Sequence, residues 1–197
     1  MELLEFLREG QVYEVLLVTK SNVTPVGIVR KGERLFFKLF GGKSAGELKE
    51  HPYASLQVTN DVELIVKLAL NVPVKLEFEG NGRYRWIKTL PGVYGRVKWR
   101  EEPHEDELGK ATVMKCSLEP AGVIAGVLPP MPLSRADFHL LEMAVDFTRL
   151  EVARRNGKID VAKKLRERIV TNYSSYRRFG GSLELAEAMM AALNEGG

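Results

Sequence analysis

The chain is short of several things that would narrow its function at once. Among 197 residues there is a single cysteine, Cys116, so no intramolecular disulfide and no cysteine-based zinc site can form. There are three histidines, His51, His104 and His139, and none stands four residues from another, so no HExxH-type metal site exists and no metal is expected. Glutamine occurs only twice, at Gln11 and Gln57, a scarcity that leans towards a heat-stable protein. No long apolar run is present. The longest uncharged stretch, residues 121–134, is broken by Pro129, Pro130 and Pro132, whereas a membrane span needs about 20 apolar residues. The opening MELLEFLREG is acidic and amphipathic, unlike a secretory leader, so a cytoplasmic protein without membrane attachment is expected. With 29 basic and 26 acidic residues the net charge is only +3, too slight to demand an anionic partner.

What is present is ordinary for a globular chain. Hydrophobic residues make up 45% and are spread throughout, which excludes extended disorder. Residues 1–9 read as a short helix or arm. Strand patterns follow over 12–18, 24–30, 34–40 and 53–59, then over 74–79, 83–89, 94–101 and 110–119. The first is an almost unbroken β-branched and aromatic run, the mark of a strand covered on both faces. Between the strands only two short helices are predicted, over 44–50 and 62–70, the second capped by Asp61. Residues 103–107 read as a charged loop. Parallel βαβ units need a helix after nearly every strand, so a mostly antiparallel closed barrel is predicted for residues 1–133.

Beyond Pro132 the period changes to that of helices. Ser134 with Asp137 resembles a capping box. Phe138, Leu141, Val145 and Thr148 recur on one helical face, with Leu140, Ala144 and Phe147 widening it. Asn156–Gly157 ends this helix. Asp160 is placed to cap a second, and Gly180–Gly181–Ser182 separates that from a third. Residues 134–197 are therefore predicted to form a three-helix appendage, packed on its own barrel or on a partner's.

The strongest local motif is Gly41–Gly42–Lys43–Ser44. Two glycines let backbone approach an anion, Lys43 adds charge, Ser44 adds a hydroxyl, and the helix behind presents its N-terminal amides. Lys38 on the preceding strand supplies a second cation. Thr24–Pro25–Val26–Gly27 suits a strand edge, because Pro25 has no N–H and Gly27 leaves room beside the backbone. Thr59, Asn60 and Asp61 join a strand to a helix. Residues 149–168 hold eight Lys or Arg against three acids, a net of +5, with Arg177 and Arg178 beyond. Such a stripe can contact nucleic acid, but few aromatics interleave with the charges, and a solvated face is the simpler reading. Cys116 reads as a buried inert thiol and His139 as a core or interface residue. No nucleophile–base set stands out, so no catalytic residue is assigned.

The order of these pieces resembles a family of small, mainly archaeal proteins of unknown function, distantly related to the flavin reductase-like, FMN-binding split barrels. Asn22, Pro25 and Gly27 match an Asn-x-x-Pro-x-Gly segment. Residues 39–48 match a glycine loop of the form F-x-G-S-x-T-x-x-N-L. Residues 57–64 match a strand, a polar turn ending in Asp, and a helix, and residues 134–150 match the family's C-terminal helical region. The resemblance implies a homodimeric split barrel that binds FMN, and, if it is an enzyme, an FMN-dependent oxidoreductase whose flavin carries the redox chemistry. It places Thr24, Pro25, Val26 and Gly27 beside the flavin ring. Lys43 and Ser44 fall in the phosphate loop, with Gly41, Gly42 and the Lys38 charge. Thr59 and Asn60 approach from the next strand end. The chain departs from the pattern with Gly42 for Ser, Ser44 for Thr and Glu47 for Asn. A carboxylate at Glu47 is expected to repel phosphate unless it points away. Two other readings follow: a non-enzymatic dimeric module that kept the barrel and lost the flavin, and, less favoured, a nucleic-acid-binding protein using the basic helices.

Overall fold

The computed structural model describes residues 4–5, 7–128 and 134–195. The elements run β1 (Val12–Val18), β2 (Val23–Lys31), β3 (Arg34–Leu39), α1 (Gly42–Glu50), β4 (Tyr53–Gln57) and α2 (Val62–Ala69). After these come β5 (Phe78–Gly80), β6 (Arg85–Ile87), β7 (Gly92–Asp106), β8 (Gly109–Ile124), α3 (Arg135–Arg155), α4 (Ile159–Arg178) and α5 (Glu184–Glu195). Six strands close into a barrel in the order β1-β2-β3-β8-β7-β4, and β5–β6 form a separate two-stranded sheet. The chain is thus mainly β with α, a closed barrel plus C-terminal helices, as its sequence pattern predicts. The arm expected over residues 1–9 and the proline-broken stretch before Ser134 lie partly outside the described residues.

The chain forms two compact units, and they are not a simple cut in sequence. One comprises the chain up to Asn60, Val74–His104 and the strand residues from Ala111; the other takes Asp61–Pro73, Glu105–Lys110 and the C-terminal helices. So α2 and the tip of the β7–β8 hairpin are counted with the helices.

Within the barrel unit, β1 is buried without a break from Val15 to Thr19, because it pairs with β2 on one side and β4 on the other. Its side chains fill the interior with those of Val26, Ile28, Leu35, Phe37, Leu39, Leu56, Val97, Met114 and Leu118. The expected charged loop over 103–107 is instead the end of a long hairpin, β7 into β8, with the turn at Asp106–Gly109. The strand expected over 74–79 is ordered as strand only at Phe78–Gly80.

Within the helical unit, Asp61 caps α2 by accepting from the Leu64 amide at 2.9 Å, and Ser134 caps α3 by accepting from the Asp137 amide at 3.3 Å. Asp160 does not cap α4; Lys158 stands at that position with no side-chain cap. One expectation about α3 is corrected. Of its predicted stripe, Leu140 and Ala144 are buried, but Phe138 is 55% exposed and Val145 39%. The stripe Ala136, Leu140, Met143 and Ala144 is the buried one, packed with Val66, Tyr176, Ala186 and Met189. Farther along, Leu150 and Ala153 pack with Leu165, Ile169 and Leu193. Helix α3 is apolar on two sides, and the side that meets α2, α4 and α5 wins the burial.

Candidate functional site

The predicted anion loop forms at the end of β3. Gly41 and Gly42 both have φ near +85° (85° and 83°), a left-handed backbone that glycine adopts without strain. A Cβ at either position would meet nothing within 4 Å, so the space above both glycines is open. Helix α1 begins here with no side-chain cap, and its first-turn amides have no side-chain acceptor. Lys43 is exposed. Ser44 is 4% exposed and its Oγ accepts from Asn22 Nδ2 at 2.9 Å, which leaves the hydroxyl proton to donate.

The Glu47 carboxylate serves the turn between β1 and β2: it accepts from Thr19 Oγ1 at 2.6 Å, from the Ser21 amide at 3.0 Å and from Ser21 Oγ at 2.5 Å. Burial works to raise this carboxyl. The Ser21 and Thr19 donors, helped by Lys43, outweigh burial and hold it at about 2. The carboxylate therefore stays ionised and is held to the turn by three donors. Together with the Asn22–Ser44 bond, it fixes the helix against the turn. Lys20 Nζ lies 3.0 Å from His51 Nε2 at the other end of the same helix.

A second cation that the sequence reading missed belongs to this neighbourhood. Arg85 on β6 has a buried Nη1 without a hydrogen-bond partner. Its guanidinium lies 3.4 Å from the centre of the Phe78 ring, and burial pushes its pKa down while the Glu47 charge opposes that shift. The β5–β6 sheet that carries it is tied to β4 by two buried side chains. Ser55 Oγ donates to the Arg85 carbonyl at 2.7 Å. Gln57 Nε2 donates to the Ile87 and Leu90 carbonyls at 2.9 and 2.6 Å, and Gln57 Oε1 accepts from the Ile87 amide at 2.6 Å.

The ladder between β2 and β3 is short: it runs Lys31↔Arg34, Arg30↔Leu35 and Val29↔Phe36, and stops there. Thr24, Pro25, Val26 and Gly27 lie on β2 just past that point, paired on their other side with β1. Lys38 lies just past it on β3, side chain exposed and paired with Lys115 of β8. Continued at the same register, the ladder would set Gly27 opposite Lys38 and Thr24 opposite Gly41. The candidates Thr24–Gly27, Lys38 and Gly41–Ser44 therefore lie beyond the end of the β2–β3 ladder, and Pro25, which has no N–H, stands on that stretch of β2. Thr59 and Asn60 follow β4, on the other side of β1 from β2. Thr59 is buried and Asn60 half-buried.

The remaining chemistry-bearing residues are quiet. Cys116 is 2% exposed and burial pushes its thiol up to about 12, so it is no nucleophile at neutral pH. His139 meets Asn172 Oδ1 at 2.9 Å and stacks on Phe179. Among the described residues no group of His, Cys, Asp and Glu could hold a metal ion, and no helix is long and apolar enough to cross a membrane.

The site sits on a closed six-stranded antiparallel barrel whose glycine loop opens a helix. Comparison with known proteins gives the family. This chain belongs to the DUF447 family, proteins of unknown function: the model of its N-terminal domain matches residues 13–125 and the model of its C-terminal part matches residues 134–193. It is 29% identical to the uncharacterized protein MJ1453 of Methanocaldococcus jannaschii over 192 residues, 93% of this chain and 98% of that one. Among solved structures it is similar to the FMN-bound DUF447 protein MM1853 from Methanosarcina mazei, at TM-score 0.62 and 22% identity, covering 95% of this chain and 99% of that one. The styrene monooxygenase flavin reductase of Pseudomonas putida S12 matches at TM-score 0.43 and 10% identity over 61% of this chain and 91% of that one.

Proposed function

We propose that this chain binds FMN beside the end of the β2–β3 ladder, at the start of α1. The observation that carries the reading is the start of α1: uncapped amides, two open left-handed glycines and an exposed Lys43 at one spot. The flavin's phosphate sits over Gly41, Gly42 and Lys43 and receives the Ser44 hydroxyl, with Lys38 and Arg85 adding positive charge. Thr24, Pro25, Val26 and Gly27 lie beside the ring, and Thr59 and Asn60 approach from the end of β4. The FMN found in a family member of the same fold supports this assignment.

The departures from the family pattern fit as well. Glu47 is satisfied by Thr19 and Ser21, and Ser44 keeps one hydroxyl where Gly42 has lost another. Bound flavin supplies electron transfer. The protein's share is to hold the phosphate, orient the ring and keep the loop rigid through the Asn22–Ser44 and Ser21–Glu47 bonds. The activity class is an FMN-dependent oxidoreductase, with no side chain assigned as acid or base. A single buried thiol suits a reducing compartment, and the cytoplasm is the proposed location.

The test is a visible spectrum of the purified protein, repeated after adding FMN and removing the excess, followed by titration with FMN and with riboflavin. FMN is expected to bind more than about 100-fold tighter than riboflavin, since each phosphate hydrogen bond contributes roughly 1.5–3 kcal/mol. Lys43→Glu should abolish FMN uptake with the fold intact. Equal affinity for the two flavins, or unchanged binding in that variant, would show the phosphate loop to be wrong. A protein that takes up neither flavin is the barrel without its cofactor.

A further inference from the structure

The barrel wall made by β3, β8 and β7 is strongly positive on its outer side. Leu35, Phe37, Val97, Met114 and Cys116 point into the core, and alternation along each strand sets their neighbours outside. Six cations stand at those outward positions: Arg34 and Lys38 on β3, Lys115 on β8, and Arg96, Lys98 and Arg100 on β7. Two carboxylates, Glu102 and Glu119, share the face, so it carries a net of +4 on a chain whose total is only +3.

Each carboxylate is shared between two cations. Glu102 takes Arg100 Nε at 2.5 Å and Lys115; Glu119 takes Lys98 Nζ at 3.2 Å and Arg34 Nη2 at 3.8 Å. Two cations on one carboxylate leave one positive charge over, and the carboxylate holds both head groups in place. A cavity of about 320 Å³ opens among Phe36, Lys98, Arg100, Lys115 and Ser117. Phe36 and Ser117 stand opposite each other in the β3–β8 ladder, and Phe36 is half-buried with Lys31 Nζ 5.8 Å from its ring centre.

An aromatic ring among cations selects a ligand that has both an aromatic plane and several negative charges. The cavity falls at the small end of the range for ligand sites, about 300–1,000 Å³, which suits a nucleotide. A second copy of the same wall would bring like charge to like charge and is repelled. We propose that this wall is a site for a nucleoside polyphosphate, with the base packed on Phe36 and the phosphates across Lys98, Arg100 and Lys115. None of these residues belongs to the glycine loop, so the inference does not rest on the flavin reading.

Calorimetric titration of the full chain with ATP, with adenosine and with inorganic tripolyphosphate tests it. ATP should bind at least about tenfold tighter than either half alone, and its affinity should fall as salt rises. Phe36→Leu keeps the apolar contact without the ring; it should weaken ATP about tenfold and leave tripolyphosphate unchanged. Lys115→Glu should weaken both ATP and tripolyphosphate by more than about tenfold, with the thermal unfolding curve as the control for folding. Lys43→Glu should leave ATP binding as it is, whatever it does to FMN. Several results overturn the proposal: no binding of ATP, tripolyphosphate binding as tightly as ATP, or ATP binding unmoved by both wall variants. Displacement of ATP by FMN, or its loss in Lys43→Glu, would make the two sites one. Oligouridylate binding tighter than ATP would give the wall to single-stranded RNA.

Discussion

Two carboxylates, Glu47 in the barrel unit and Asp146 in the helical unit, are drawn out of water and treated in opposite ways. Glu47 in the barrel unit accepts three hydrogen bonds from Thr19 and Ser21, and its pKa is held at about 2. Asp146 in the helical unit is fully buried, and neither of its oxygens has a hydrogen-bond partner. Its ion-pair partner is Arg168, with Nη2 3.0 Å from Oδ1, and Arg149 adds a weaker attraction. Burial raises the Asp146 carboxyl; Arg168 opposes the shift without cancelling it, and Glu142 adds to it. Both have a cation nearby, so the cation is not what separates them. Donors are: a carboxylate is settled by N–H and O–H groups at bonding distance, and a single half-exposed guanidinium does not replace them.

The largest effect should come from removing that guanidinium. Arg168→Met leaves a buried carboxylate with no close cation and should cost about 3 kcal/mol in urea unfolding at neutral pH. A loss below half of that would mean Asp146 is already protonated in the folded state. Next comes Glu47→Gln, which keeps the shape but loses charge-assisted acceptors, at about 1–2 kcal/mol. The smallest change is Asp146→Asn, within about 1 kcal/mol of the parent at pH 7, because it removes a buried charge together with its pairing.

The pH dependence separates the two carboxylates by sign. Glu47 has a folded pKa below its ordinary 4.5, so its stabilisation is complete above that value and is lost as pH falls from 4.5 towards 2. Asp146 has a folded pKa above its ordinary 3.8, so it weakens the fold at high pH, and that cost disappears as pH falls towards 3.8. Stability curves of Glu47→Gln and Asp146→Asn against the parent should therefore diverge in opposite directions with pH. Parallel curves would undo the comparison.

How much of this was legible in the sequence depends on range. The glycine loop, its helix and the Asp61 cap depend on neighbours within four residues, and they form as their spacing predicts. The barrel followed from strands that lack intervening helices. What escaped the sequence was long-range. Arg85 reads as one more residue in an alternating strand, and only the fold brings it within reach of Glu47, 38 positions earlier. The donors that hold Glu47 at the β1–β2 turn lie 26 and 28 residues away from it, so its role there was not legible either. On α3 the period was correct and the stripe was drawn too wide: Leu140 and Ala144 are buried, Phe138 and Val145 are not. A helix apolar on two sides does not declare which side its own chain will cover.

One of the two glutamines in the chain, Gln57, carries a consequence for motion. The β5–β6 sheet forms no ladder with the barrel strands; Gln57 and Ser55 reach out from β4 and stand in for a neighbouring strand. A flap held by side chains, with the Tyr84 and Trp86 rings resting on Tyr53 and Tyr94, can swing without unzipping the wall behind it. Its backbone amides, Ile87 among them, should exchange with deuterium well before those of β1, and Gln57→Ala should widen that interval. Arg85 rides on the flap, so its charge moves with that small sheet and not with the barrel wall.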